Sequence, residues 1–439
     1  MLTPTSVTAA LSYGSTSSPI SAKAHADATD IILGFTSPSP RSRSERLLEV
    51  AHRFGDLPKD RSSLAISPDE LKAAYDGLAP DVKTSLDNIV KRVSLFAQMQ
   101  RQSVSDSSIT IPGGSAGQSV SPCRVAGCYA PGGRYPLPSS VVMTCVTAKV
   151  AGCSVVQVCS PNPQPITLAA AYISGCTTFL SLGGAQAIGA LAYGVLDGEE
   201  NIERCDVIVG PGNQWVTAAK GIVSGNLCGI DMLAGPSEVM VLCDATCNPS
   251  VVAADLIAQA EHDVIARTFL ATTSQKIIDS VNSELARQLA SMPQPNRGTA
   301  EESIMNNGIS VLCASIDECV KICDAIAPEH LEIFTEDCQA VADKCSNYGG
   351  LFIGGRAAEV LGDYGAGPNH TLPTGGAGRY TGGLSVFNFL RIRTWMKCDD
   401  DVTPSSSDSD TYENMVADCI IMARCEGLEG HARAAEMRK

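Results

Sequence analysis

Gln259 and His262 stand three residues apart at the end of an apolar run that begins at Val251. Asn248 and Pro249 have the residue types of an N-cap and a first-turn proline, and Val252, Ala253, Leu256 and Ile257 recur at helical spacing. One amphipathic helix is expected, with the Gln259 amide and the His262 imidazole on one face and within reach of one ion. Zinc suits nitrogen and oxygen donors when the metal has no redox duty. A surface helix that merely carries Gln and His is the plainer alternative, and a short motif by itself does not exclude it.

The other histidines sharpen the pattern. The chain has six; after His25 and His52 none occurs before His262. His262, His330, His370 and His431 each lie near a carboxylate in sequence: Glu261, Glu329, Asp363 and Glu426. Four such pairings point to a site assembled from several segments, with Gln259, His262, Asp363 and His431 able to supply metal donors. Glu329 and His330 adjoin after Pro328 and before the apolar Leu331-Glu-Ile-Phe334, as an acid and base at a strand mouth would. A histidine there can take the proton of an alcohol as hydride leaves, and a neighbouring carboxylate can activate water. An exposed Glu beside a half-buried His is the alternative.

No Gly-x-Gly-x-x-Gly turn is present, so the usual dinucleotide fingerprint fails. Ala130-Pro-Gly-Gly133, Gly183-Gly-Ala-Gln186 and Gly210-Pro-Gly-Asn213 nevertheless precede helical patterns and could bring helix N-terminal amides to an anionic group. Ser237, in Ala234-Gly-Pro-Ser-Glu238, is either a turn partner or a substrate contact.

These residues need a large scaffold, and 439 residues allow two or three domains with a sizeable core. A formal charge of -15 argues against nucleic-acid and anionic-membrane partners. No apolar run is long enough to span a bilayer, so a soluble cytoplasmic protein is expected. The 18 cysteines are scattered, many in apolar segments and none in a Cys-x-x-Cys pair, and read as buried free thiols.

Residues 1–40 read as disordered or linker, with 37–44 as linker, and 41–120 as a helical segment. From Cys123 short β-rich runs alternate with helical ones, implying βαβ units and two related parallel-sheet α/β domains, 121–235 and 236–360. Residues 361–439 read as a Gly-rich loop, a Ser/Asp linker at 404–410 and a closing helix from about 411 to 438.

Taken in order, nine motifs resemble the histidinol dehydrogenase family over roughly residues 40 to 436. They are the runs Gly127–Gly133, Thr147–Gly152, Gly183–Ile188, Gly210–Lys220, Ala234–Glu238, Gln259–His262, Pro328–Glu332, Gly367–Thr374 and Glu426–His431. The resemblance implies an α/β fold of two Rossmann-like, aldehyde-dehydrogenase-like parallel-sheet domains with a small C-terminal helical domain for dimerisation. It implies zinc held by Gln259, His262, Asp363 and His431, acid/base work by Glu329 and His330, and NAD contacts from Tyr129, Gln186 and Asn213. Ser237, His370 and Glu426 would contact substrate, together with Gln259, His262, His330, Asp363 and His431. The family reaction oxidises L-histidinol through histidinal to L-histidine, in a homodimer whose site borrows a C-terminal segment, so that His431 would act in trans.

Arg134 and Tyr135, and the run Arg379-Tyr-Thr-Gly-Gly383, depart from the histidinol pattern and look more like the family's sulfopropanediol dehydrogenase branch. An arginine near the site would suit an anionic diol such as a sulfopropanediol. The segment after His262 is also short, which alters the loop beside the metal. Other functional classes are a zinc hydrolase, turning over without NAD, and a non-catalytic scaffold, which would have lost one of these residues.

Overall fold

The computed structural model describes residues 1–12, 20–57, 63–132, 136–197, 200–399 and 411–438. It divides into two compact units, Met1–Arg101 with Cys123–Phe389, and Gln102–Pro122 with Leu390–Lys439.

The larger unit contains two six-stranded sheets. In the first, the strands run in the order Gly229–Ile230, Val207–Val209, Val125–Tyr129, Val155–Cys159, Thr178–Leu180, Ala65–Ile66, all parallel except the last. In the second, the wholly parallel order is Thr3–Pro4, Ile309–Leu312, Arg267–Thr272, Glu238–Cys243, His330–Phe334, Gly350–Ile353. Parallel strands covered by crossover helices on both faces read as near-continuous apolar runs, and Glu238–Cys243, apolar after Glu238, is buried throughout. Successive side chains of that strand feed opposite layers. Val239, Val241 and Cys243 pack with the Pro249–Ala260 and Gln275–Ser291 helices, whereas Met240 and Leu242 pack with the Ile316–Ile326 helix. Two parallel-sheet α/β halves are thus present, as the strand–helix alternation predicts.

Several expectations need correction. Residues 1–40 are not a disordered or linker segment over their described part. Thr3–Pro4 extends the second sheet by pairing with Ile309 and Ser310, and the Ala22–Leu33 helix buries Ile31 and Ile32 against the first half. The 37–44 stretch is largely helix, because Ser39 caps and Pro40 opens the Pro40–Phe54 helix. An Asn296–Asn307 helix was not expected; its Thr299, Ala300, Ser303 and Ile304 are buried.

The smaller unit is not only helical. The antiparallel strands Ser107–Ile111, Gly114–Pro122 and Leu390–Cys398 form one sheet, the middle strand central. The Gly and Ser of the central strand hid it, and Gly117 has a packing reason: a Cβ there would lie 2.6 Å from the Trp395 ring. The expected closing helix is two helices, Tyr412–Cys425 and Glu429–Glu436, broken where Gly427 adopts φ 74°. The Ser/Asp stretch 404–410 lies outside the described residues.

Candidate active site

A cavity of about 570 Å³ in the larger unit is lined from both halves, by Gly210–Trp215 from the first and by Ser237, Gln259, His262, Glu329, His330, Glu359, Asp363 and His370 from the second. The two sheets meet it with opposite ends. The first half offers the turn after the carboxyl end of Val207–Val209, and the second the amino ends of its strands, where Glu238 and His330 stand.

The acid/base pair is held by one residue's backbone. The Glu238 N–H donates to Glu329 Oε2 at 2.9 Å, and the Glu238 carbonyl accepts from His330 Nδ1 at 2.9 Å. Adjacent strands make this possible, since Val239 pairs in register with His330. With Nδ1 carrying the proton, His330 Nε2 is left as a bare lone pair, and it is buried without a partner. Burial lowers the His330 pKa to about 4, against an opposing pull from Asp363, so the ring is neutral near pH 7. Burial pushes the Glu329 carboxyl well above the usual carboxylate range. The Glu238 side chain is itself anchored, by Arg267 at 3.2 Å and by the Gly375 N–H at 3.2 Å.

The Pro249–Ala260 helix forms as the sequence predicts, with Asn248 Oδ1 capping the Ser250 N–H at 3.0 Å. Gln259 is fully buried, yet neither its amide oxygen nor its amide nitrogen has a partner. An orphaned buried amide asks for an occupant. Just beyond the helix, one donor atom each from His262, Glu359 and Asp363 lie within 4.8 Å of one another. His262 Nδ1 faces the Gln259 carbonyl at 3.3 Å, which leaves Nε2 outward as a ligand nitrogen. These nitrogen and oxygen donors fit a zinc-type ion.

Glu359 was not singled out in the sequence, although its spacing of four from Asp363 within the Glu359–Tyr364 helix is a usable signal. Beneath it lies a second carboxyl pair. Glu332 Oε1 accepts the Glu359 N–H at 2.9 Å, and Glu332 lies beside the charge of Asp255 on the Pro249–Ala260 helix. Burial, then the Asp255 charge, raises Glu332 to about 8, and burial raises Asp255 to about 6. This pair lies between the two helices that carry the metal donors.

Of the other expected residues, Ser237 and His370 line the cavity. His370 Nδ1 lies 3.0 Å from the Asp363 carbonyl. Asn213 lines the cavity and caps the Gln214–Val223 helix, accepting the Trp215 and Val216 N–H groups at 3.1 and 3.2 Å. Tyr129 and Gln186 are buried and engaged with protein groups. Tyr129 Oη accepts the Gly184 N–H at 3.2 Å, and Gln186 Nε2 donates to the buried Asp56 at 2.6 Å. Neither lines the cavity. Glu426 and His431 belong to the smaller unit and are exposed there. Arg134 and Tyr135 lie outside the described residues. Arg379 donates to the carbonyls of Gly376 and Ala325 and does not line the cavity.

The family model described as histidinol dehydrogenase matches residues 40–439. The chain belongs to the histidinol dehydrogenase family. Histidinol dehydrogenase of Parasynechococcus marenigrum is 40% identical over 398 residues, covering 89% of this chain and 86% of that protein. Sulfopropanediol 3-dehydrogenase of Ruegeria pomeroyi is 36% identical over 401 residues, covering 89% and 87%. The crystal structure of histidinol dehydrogenase from Elizabethkingia anophelis superposes with a TM-score of 0.87 at 29% identity, covering 100% of this chain and 97% of that one. Membership of the histidinol dehydrogenase family makes the chain an oxidoreductase acting on an alcohol. Among the described residues, no helix is long and apolar enough to cross a membrane.

Proposed function

We propose that this histidinol dehydrogenase family member oxidises L-histidinol to L-histidine through histidinal, using zinc and NAD. The observation that carries the reading is the bare, buried Nε2 of a neutral His330 facing the same cavity as Glu329 and the donors Gln259, His262 and Asp363. When bound, zinc would polarise and orient the alcohol oxygen and NAD would accept hydride. His330 Nε2 takes the alcohol proton, its ring held by the Glu238 carbonyl. Glu329 assists addition of water to the retained aldehyde, after which His330 serves the second oxidation. In balance, one alcohol and one water yield a carboxylate, two hydrides and three protons.

His431, with Gln259, His262 and Asp363, completes the proposed zinc ligands, and Glu426 reaches substrate. Following the family resemblance, we assign both to the neighbouring protomer of a homodimer. Tyr129, Gln186 and Asn213 are proposed at the NAD side, the first two by shaping the turns that Gly184 and Asp56 brace. We place the enzyme in the cytoplasm, serving histidine synthesis.

The choice of a cationic amino alcohol over an anionic diol rests on the lining. Among the described residues the cavity has Asp263, Glu329, Glu359 and Asp363 but no Lys or Arg. Among the described residues, no Lys or Arg side chain of the lining is available to pair with a sulfonate. The sulfopropanediol reading is favoured by the Ruegeria pomeroyi relative and by Arg134. Assaying zinc-loaded enzyme on L-histidinol and on 2,3-dihydroxypropane-1-sulfonate decides between them. The reading expects kcat/KM at least 100-fold higher for L-histidinol, and the reverse order overturns it.

A further inference from the structure

We propose that the buried Lys220–Asp231 ion pair is a positioning device for the dinucleotide, locking the Gly210–Asn213 turn in its binding conformation. The inference rests on the NAD reading above; it gives a role to Lys220, which closes the Gly210–Lys220 run, and adds Asp231, and neither residue lines the cavity.

The pair grips both sides of one residue. Lys220 Nζ donates to the Gly210 carbonyl at 2.9 Å, and Asp231 Oδ2 accepts the Gly210 N–H at 2.7 Å, while Lys220 and Asp231 bond each other. Asp231 Oδ1 also accepts the Met232 N–H at 2.7 Å, so two cavity-lining segments are tied to one carboxylate. Gly210 needs such a grip. It adopts φ 115°, and a Cβ there would lie 2.0 Å from the Tyr129 carbonyl oxygen, so only glycine fits. Glycine is also the residue with the most backbone freedom to lose.

The location argues against ordinary structural glue. The Lys220 and Asp231 side chains are 2% and 0% exposed, the most deeply buried Lys or Arg pair with a carboxylate among the described residues. Desolvating two charges is costly, and a tight βα turn can be built without them. Neither side chain lines the cavity, so neither touches a ligand directly. Their effect passes through the Gly210 peptide to Gly212, Asn213 and the N-terminus of the Gln214–Val223 helix, a place suited to the anionic pyrophosphate of a dinucleotide.

The test measures the NAD dissociation constant together with the separate KM and kcat values. Lys220→Gln with Asp231→Asn removes both charges at once, so that neither is left buried alone. NAD affinity should fall at least tenfold, about 1.4 kcal/mol. At saturating NAD kcat should stay within twofold, and the alcohol KM should not change. Asp231→Glu keeps the pair charged but lengthens one arm; it should weaken NAD at least threefold and covers the case in which the double variant does not fold. A folded variant that binds NAD like the wild type, or loses kcat with NAD affinity intact, overturns the proposal while leaving the NAD reading standing. Wild-type enzyme that binds no NAD overturns both.

Discussion

The two α/β halves present opposite poles to one cavity. The first half follows the usual rule of open parallel sheets and offers the carboxyl end of a strand, where the Gln214–Val223 helix begins under its Asn213 cap. The second half uses the amino ends of its strands, where Glu238 and His330 start and where the Pro249–Ala260 helix ends just before His262. Helix N-termini favour anions and helix C-termini favour cations. The fold therefore supplies an anion-favouring wall and a cation-favouring wall before any side chain is chosen, and the side chains follow. Asn213 and glycines line one wall, and carboxylates with imidazoles line the other. Phosphate on the first side, and a metal with a cationic amino alcohol on the second, is the division this polarity suits.

The largest expected effects fall on the second wall. Removing its base by His330→Ala should lower kcat by roughly 10²–10⁴-fold, with metal content by elemental analysis unchanged. His262→Ala should instead release the metal. Loss of metal in the His330 variant, or full metal in the His262 variant, would mean the donors and the base have been divided wrongly.

An intermediate effect concerns the carboxyl pair beneath that wall. Glu332 titrates near 8 in the folded chain and near 4.5 by its ordinary value, and Asp255 is also raised, to about 6. The folded state thus prefers these groups protonated. Their stabilising contribution is complete below pH 4 and is lost as pH rises through about 6 to 8. Glu332→Gln keeps an oxygen for the Glu359 N–H without the charge. It should make the metal-free protein more stable at pH 8, on the order of 2 kcal/mol, with little change near pH 5. Denaturant melts at both pH values check this; an equal shift at both would mean the carboxyl is not the titrating group. His330 has the opposite sign: its stabilising contribution is present above pH 6.5 and is lost as pH falls toward 4.

The smallest effect belongs to the first wall. Asn213→Ala removes a helix cap and should cost about 1 kcal/mol of stability, with a raised NAD KM and an unaltered alcohol KM. A change confined to the alcohol KM would place Asn213 on the wrong wall.

Much of this polarity was legible in the residues. Asn248 and Pro249 marked the helix start, which placed Gln259 and His262 together at its end, and Pro328 before an apolar run placed Glu329 and His330 at a strand mouth. The buried carboxylates were not legible, because Glu238 and Glu332 sit within apolar strand runs and only the register shows what their side chains meet. Thr3–Pro4 escaped notice because a two-residue edge strand carries no period. The sheet of the smaller unit was masked by the Ser and Gly of its central strand, of which Gly117 stands where a neighbour approaches closely.

The most direct test of the account is the number of NADH molecules formed per L-histidinol consumed, with zinc-loaded enzyme and limiting substrate. The account predicts two NADH and L-histidine as the product. One NADH with free histidinal released, or metal-dependent turnover without NADH, would contradict it.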